Sequence, residues 1–88
     1  MIEKQYKITA TEGLHARPSQ VLVGALSPFS SDITLEHNGK KVNMKSILGV
    51  MSMGIPSGAM ITIAANGDDE EQVMAKVAEI IESEGIGN

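Results

Sequence analysis

His15 and Arg17 are the side chains of this sequence whose types and spacing best suit phosphate chemistry. An imidazole is largely neutral near pH 7, so one ring nitrogen can attack a phosphoryl donor while the other keeps its proton. A guanidinium offers a fork of donors that matches phosphate oxygens. The surrounding residues supply no general base, no Walker loop and no acidic metal cluster. This pattern favours a residue that holds a phosphoryl group and borrows catalytic groups from its partners.

Pro18 locates the start of a helix directly after His15. Proline is tolerated in the first helical turn, where its missing N–H would have had no partner, and apolar residues at helical spacing follow it. His15 is therefore predicted to lie at or next to the N-cap. The backbone amides of Ala16 and Arg17 would then point towards an anion carried by the imidazole. The alternative, a histidine that serves only as a cap, stays open at this point.

Ser46 begins a second, shorter helical pattern and is a second candidate site. Its simplest interpretation is an N-cap. A phosphate on its hydroxyl would be stabilised by the helix N-terminus and would add up to about −2 charge beside an apolar surface. That surface is predicted because one or two helical turns cannot bury all of Leu48, Met51 and Met53. Methionine also adapts well to surfaces that meet several partners.

Length and composition limit the classes of protein. The 88 residues suffice for one small domain, residues 1–88, and the absence of cysteine excludes disulfides and thiolate metal sites. His37 beside Glu36 is a weak metal pair, so we expect no metal and no cofactor. A net charge of −4 and only one tyrosine, one phenylalanine and no tryptophan argue against direct nucleic-acid binding. Without a signal-peptide pattern or an apolar run near ~20 residues, we expect a cytoplasmic protein that does not insert into membranes.

Strand and helix periodicities predict seven elements. The predicted bounds are strand 2–10, helix 16–27, strand 31–36, strand 41–43, a short helix from 46 closed by Gly54, strand 60–65, and a helix to Ser83 with Asp69 as N-cap and Gly85 as C-cap. Asn38-Gly39 predicts a tight hairpin. The βαββαβα order predicts an α+β fold: an open-faced β-sandwich with a four-stranded antiparallel sheet and helices packed on one face.

Two motifs resemble those of one known family. They are Gly13-Leu14-His15-Ala16-Arg17-Pro18 and Asn43-Met44-Lys45-Ser46-Ile47-Leu48-Gly49-Val50-Met51. The first is similar to the phosphorylation-site signature of HPr, the histidine-containing phosphocarrier of the bacterial phosphoenolpyruvate:sugar phosphotransferase system. The second is similar to the regulatory serine motif of that family, in the form typical of low-GC Gram-positive bacteria. The resemblance extends over nearly the full length and the element order.

The resemblance implies a carrier rather than a free-standing enzyme. Enzyme I, charged by phosphoenolpyruvate, would phosphorylate His15 on Nδ1, and His15 would pass the group to a sugar-specific enzyme IIA. Arg17 and the backbone of Ala16 and Arg17 would position the phosphoryl group. HPr kinase/phosphorylase would phosphorylate Ser46 with ATP, which would slow loading by enzyme I, and the phosphoserine form would bind a catabolite control repressor. We expect a monomer whose shared docking surface includes Gln20, Ile47, Leu48 and Met51.

Three residues depart from the family pattern. Alanine is usual where Ser19 stands, and polar or basic residues are expected where Gly24 and Pro28 stand. These departures concern the charge of the docking surface and hence partner preference. The alternatives are a serine-regulated interaction module without carrier activity, a small interaction or ligand-binding module in which His15 is only a cap, and an enzyme. His15 argues against the first, and the lack of a second catalytic group argues against the last.

Overall fold

The computed structural model describes residues 1–88 as a four-stranded sheet with three helices. The elements are β1 (Ile2–Lys7), α1 (Ala16–Leu26), β2 (Asp32–His37), β3 (Lys40–Asn43), α2 (Ile47–Met51), β4 (Met60–Asn66) and α3 (Glu70–Ser83). This order confirms the predicted βαββαβα succession and the α+β class. The hairpin between β2 and β3 turns at Asn38 and Gly39, both with positive φ, as the Asn-Gly pair predicts.

The sheet has the strand order β1-β4-β2-β3, and every neighbouring pair is antiparallel. Alternate residues of the central strands, such as Ile61 and Ile63 of β4 and Leu35 of β2, are buried beneath the helices. Thr62 lies between the two isoleucines and faces the other side, where polar side chains line an open surface. Burial on one side only is what an open-faced antiparallel sandwich requires.

β1 ends at Lys7, although the alternating sequence pattern predicts a strand to residue 10. Beyond Lys7 the backbone has two partners. Ile8 still pairs with the residues before β4, because its amide donates to the Ala59 carbonyl at 2.8 Å and its carbonyl accepts from the Gly58 amide at 2.7 Å. Ile8 forms an isolated bridge with Gly87, and the amide of Ala10 donates to the Ile86 carbonyl at 3.2 Å. The C-terminal segment thus satisfies the backbone amides from Thr9 onward, since the Thr9 amide also donates to the Ile86 carbonyl, at 3.0 Å. It also holds the end of the chain beside the loop that leads into α1.

A sharp turn at Gly13 (φ +74°) leads from this loop into α1. A Cβ atom at Gly13 would overlap the carbonyl oxygen of Ile55 and would lie 2.9 Å from Cα of Pro56. The Leu14 amide donates to the same Ile55 carbonyl at 3.0 Å, and the Leu14 side chain is buried. The positive φ and the close backbone approach both favour glycine here. This packed turn determines where α1 begins.

Asp69 is the N-cap residue of α3, as predicted, but its carboxylate makes no capping hydrogen bond to that helix. The carboxylate instead accepts hydrogen bonds from the amides of Ser30 (2.8 Å) and Ser31 (3.0 Å) and from both serine hydroxyls. The Ser31 hydroxyl bond, followed by the Ser30 amide bond, lowers the pKa of Asp69 to about 2. The Asp69 carboxylate therefore bonds to donors of the Ser30–Ser31 segment and not to the first-turn amides of α3. Glu70 accepts from the Gly67 amide at 3.1 Å at this helix end.

The C-cap of α3 is Glu84, one residue before the predicted Gly85. Gly85 follows it with φ +65° and makes the turn that ends the helix. The amides of Gly85 and Ile86 donate to the carbonyls of Glu82 (3.2 Å) and Ile81 (3.0 Å), which is the Schellman arrangement. Ile86 is fully buried, so this cap also anchors the C-terminal segment against the core.

Candidate functional site

His15 occupies the N-cap position of α1 with an extended backbone (φ −87°, ψ −167°), as the position of Pro18 predicts. Its side chain is exposed and makes no capping hydrogen bond. The first-turn amides of Ala16 and Arg17 donate to no acceptor in the protein. An imidazole without partners therefore stands at a helix N-terminus whose own donors are unused. This combination suits a group that carries negative charge.

The surroundings of His15 are a shallow concavity open to solvent. Arg17 and Pro18 line it from α1, and Ser83 and Glu84 line it from the end of α3. Arg17 is exposed and forms no ion pair. The concavity thus presents a free guanidinium beside the imidazole, with one carboxylate across from it. Sequence reasoning missed the proximity of α3, because nothing in the local pattern relates residues 83–84 to residue 15.

Ser19 lies inside the protein, directly behind this site. It is completely buried, and its hydroxyl donates to the Leu14 carbonyl at 3.4 Å, while its amide donates to the His15 carbonyl at 3.1 Å. The buried stripe of α1 consists of Ser19, Leu22, Val23 and Leu26. Ala25 and Phe29 also fall at helical spacing from Leu22, but both are only half-buried. The buried residues have the i, i+3, i+4, i+7 spacing when it is counted from residue 19, so this spacing could have indicated from the sequence that Ser19 faces the core.

Ser46 is the N-cap of α2, which confirms its simplest interpretation. The backbone is extended (φ −108°, ψ 109°), and the hydroxyl oxygen accepts a hydrogen bond from the Gly49 amide at 3.1 Å. A Cβ atom at Gly49 would lie 3.2 Å from that oxygen, so glycine keeps space for the cap. Ser46 is half-buried, and its hydroxyl is already engaged in local structure.

The short helix α2 leaves apolar side chains in solvent, as predicted. Leu48 is 79% exposed and Met51 is 43% exposed, whereas Val50 is buried. Ile47 and Met53 are half-buried and pack against the core. Because α1 and α2 contact each other, their exposed residues form one surface, which we call the α1–α2 face. It contains His15, Arg17, Gln20, Gly24, Leu48 and Met51.

His37 lies apart from these residues, at the end of β2, where a ring nitrogen is 3.3 Å from the Met60 carbonyl oxygen. No group of three or more histidine, aspartate or glutamate side chains is arranged to hold a metal ion. The structure therefore does not join His37 to the surface that contains His15.

A family comparison agrees with this geometry. The model described as "PTS HPr component phosphorylation site" matches residues 2–83. The chain therefore belongs to the HPr family of phosphocarrier proteins. No helix is both long and apolar enough to span a lipid bilayer.

Solved structures are similar over nearly the whole chain. A histidine-containing phosphocarrier protein from Mycoplasma is 39% identical, with a TM-score of 0.96 and 99% of each chain covered. HPr from Thermoanaerobacter tengcongensis is 44% identical, with a TM-score of 0.89 over 94% of this chain and 93% of that one. Crh from Bacillus subtilis, described as a catabolite repression protein with a swapped dimer, is 38% identical. Its TM-score is 0.73, with 96% of this chain and 97% of Crh covered.

Proposed function

We propose that this protein carries a phosphoryl group on His15 from phosphorylated enzyme I to sugar-specific enzyme IIA proteins. The observation that carries this proposal is the exposed imidazole without a hydrogen bond at the N-terminus of α1. A histidine that served only as a cap would bond to the first turn of its helix, and His15 does not. Membership of the HPr family agrees with a carrier role.

Loading is a transfer between two nitrogens. The lone pair of Nδ1 of His15 attacks phosphorus, and the bond from phosphorus to the donor imidazole breaks with its electron pair returning to the donor nitrogen. The donor ring leaves neutral when its other nitrogen carries a proton, and His15 keeps the proton on Nε2. The amides of Ala16 and Arg17 donate to the phosphoryl oxygens, and the Arg17 guanidinium neutralises them.

Unloading to enzyme IIA is the same reaction in the opposite direction. The concavity around His15 is open to solvent, which supports direct approach of a donor or acceptor histidine. The protein needs no cofactor for either step, since the partners supply the remaining catalytic groups. In this proposal residues 1–88 act as one domain, as a monomer, in the cytoplasm.

Ser46 is the proposed regulatory residue. Phosphorylation by HPr kinase/phosphorylase would place up to about −2 charge at the edge of the α1–α2 face, beside Ile47 and Leu48. An enzyme I surface that docks there would then have to approach an added anion, which slows loading of His15. The same phosphate would create the charged feature that a catabolite control repressor recognises. The N-cap position of Ser46 supports this role, because a helix N-terminus stabilises a phosphate.

The proposal is tested by intact-mass measurement after incubation with phosphoenolpyruvate and enzyme I. The expected result is a gain of one phosphate that is lost on mild acid treatment. His15→Ala abolishes the gain, and the matched variant His37→Ala, which removes the other histidine, retains it. No acid-labile phosphate on the native chain, or an undiminished gain in His15→Ala, contradicts the carrier function and favours a serine-regulated interaction module.

Regulation at Ser46 is tested separately with ATP and HPr kinase/phosphorylase. The expected product is an acid-stable phosphate that is absent from Ser46→Ala and present in Ser52→Ala, a control serine at the other end of α2. Purified Ser46-phosphorylated protein is then loaded with enzyme I. A loading rate equal to that of the unmodified protein would contradict the regulatory role and leave the carrier role intact.

A further inference from the structure

The α1–α2 face is almost free of charge. From Gly13 to Ser31, and again from Ser46 to Ala59, the only permanently charged side chain is Arg17. These two stretches supply both helices of the face and the turns that end them. All other lysines and carboxylates of the chain belong to the sheet, its hairpin, the loops outside these stretches or α3. The charge distribution is therefore sharply divided between this face and the rest of the molecule, and Glu84 lies at the boundary, where it lines the same concavity as His15 and Arg17.

Lys45 is the cation nearest in sequence to α2, and it is engaged. Its ammonium group donates to the Phe29 carbonyl oxygen at 2.5 Å, which joins the start of α2 to the end of α1, and the residue is half-buried. One of its three N–H donors is thereby used within the protein, and the residue is less accessible to a partner than an exposed lysine. Arg17 is thus the one cation of the region that is both exposed and free.

The remainder of the face offers apolar contact and open space. Leu48 and Met51 project into solvent. Gly24, in the last turn of α1, is exposed, and a Cβ atom built there would meet nothing within 4 Å. Pro28 is exposed just beyond the helix. A partner therefore meets an uncharged surface with adaptable side chains on α2 and little side-chain bulk along α1.

We propose that the partner surface which fits the α1–α2 face is apolar and carries one anionic group, placed opposite Arg17. This inference rests on the proposed carrier function and commits to enzyme I as the occupant. Its consequence is that loading of His15 depends only weakly on ionic strength. Clustered charges steer association and make it strongly dependent on salt, whereas one charge pair contributes little and apolar contact is not screened.

The first test is the second-order rate constant for His15 loading by phosphorylated enzyme I, measured between about 0.05 and 0.5 M KCl. The expected change is less than about threefold, because a single charge pair is screened. A fall of more than about tenfold overturns the inference, since it requires several charge pairs at the interface.

A lysine introduced on the α1–α2 face gives a second, independent test, again by the rate of His15 loading. Gly24→Lys fits without steric conflict. It is expected to slow loading about threefold or more, because its ammonium group loses water against an apolar surface. The matched variant Gln72→Lys adds the same charge on the exposed side of α3 and leaves the rate unchanged. Faster loading of Gly24→Lys at low salt, with the gain lost at high salt, would show an acidic partner surface and overturn the inference.

Two methionines of similar exposure test how much apolar contact on the α1–α2 face contributes to the rate of His15 loading. Met51→Ala on the face is expected to lower the rate constant about tenfold. Met60→Ala, 49% exposed on the opposite side of the sheet, is expected to leave it unchanged. Equal rates for both variants contradict the inference. Failure of the carrier function is distinguishable, because then no acid-labile phosphate forms on the native chain at any salt concentration.

Discussion

The N-termini of α1 and α2 lie on the same face but use their capping residues in opposite ways. The His15 side chain makes no bond to its helix, and the first-turn amides beside it are unused. The Ser46 hydroxyl accepts from the Gly49 amide and completes its helix locally. Within one layer, therefore, one helix end keeps free donors that an external anion could use, while the neighbouring end is closed by its own side chain.

The third N-terminus, at α3, shows a further possibility. Asp69 has the residue type of a good cap, but its carboxylate holds the Ser30–Ser31 segment instead. Its bonds join two elements that are distant in the sequence. Among the three helix ends, only that of α1 leaves both its capping side chain and its amides free, which is why His15 is the candidate for group transfer.

The strongest disruption of the α1 terminus is expected from Gly13→Ala. The new methyl group overlaps the Ile55 carbonyl oxygen, and the residue must keep φ +74°. We expect the free energy of unfolding to fall by about 2–4 kcal/mol. Gly54→Ala is the control, because Gly54 also has positive φ but meets no atom within 4 Å. Urea denaturation of both variants measures the difference, and equal losses would contradict the steric account.

Arg17→Ala tests whether the free guanidinium belongs to the α1 terminus in function. Loss of a charged hydrogen-bond donor to the phosphoryl group is expected to lower kcat/KM for loading by about 10–100-fold. Arg17→Lys keeps the charge but lacks the forked donors of the guanidinium, so its kcat/KM for loading should lie between those of Arg17→Ala and the native chain. Loading is measured with enzyme I and phosphoenolpyruvate. A native rate in Arg17→Ala would assign the phosphoryl contacts to the backbone amides alone.

Asp69 gives the α3 terminus a distinctive pH dependence. Its pKa of about 2 lies below the ordinary value of 3.8, mainly because the Ser31 hydroxyl bonds to the ionised carboxylate. Since the folded state favours ionisation, this contribution to stability is present above about pH 4 and is lost as pH falls towards 2. Urea midpoints for Asp69→Asn should therefore be lower than native at pH 5, with a gap that narrows on acidification. Asp68→Asn, an exposed neighbour, should follow the native curve.

The smallest expected effects are those of Ser46→Ala and His15→Ala on stability, and together they distinguish the roles of the α2 and α1 N-termini. Ser46→Ala removes a cap and should lower the free energy of unfolding by about 1 kcal/mol, without changing the loading of His15. His15→Ala removes no bond and should change stability by less than about 0.5 kcal/mol, while abolishing loading. Chemical denaturation and intact mass on the two variants give both readings. A larger loss of stability in His15→Ala would mean that the imidazole supports its helix after all.

Much of the fold was predictable because the signals were local. Pro18 located the start of α1, Asn38-Gly39 located the hairpin, and Gly85 located the end of α3. The exposure of Leu48 followed from the shortness of α2 alone. Each of these features depends on backbone geometry or on the number of residues in a turn, which neighbouring residues determine.

Other features depended on contacts between distant residues. The sequence alone determined that a histidine stands at a helix entrance with an arginine two positions later. That α3 ends beside them and that Asp69 bonds to the Ser30–Ser31 segment follow from the packing of separate elements and are visible only in the folded chain. Backbone geometry and spacing act within a few residues, whereas burial and side-chain partners are chosen when separate elements pack together.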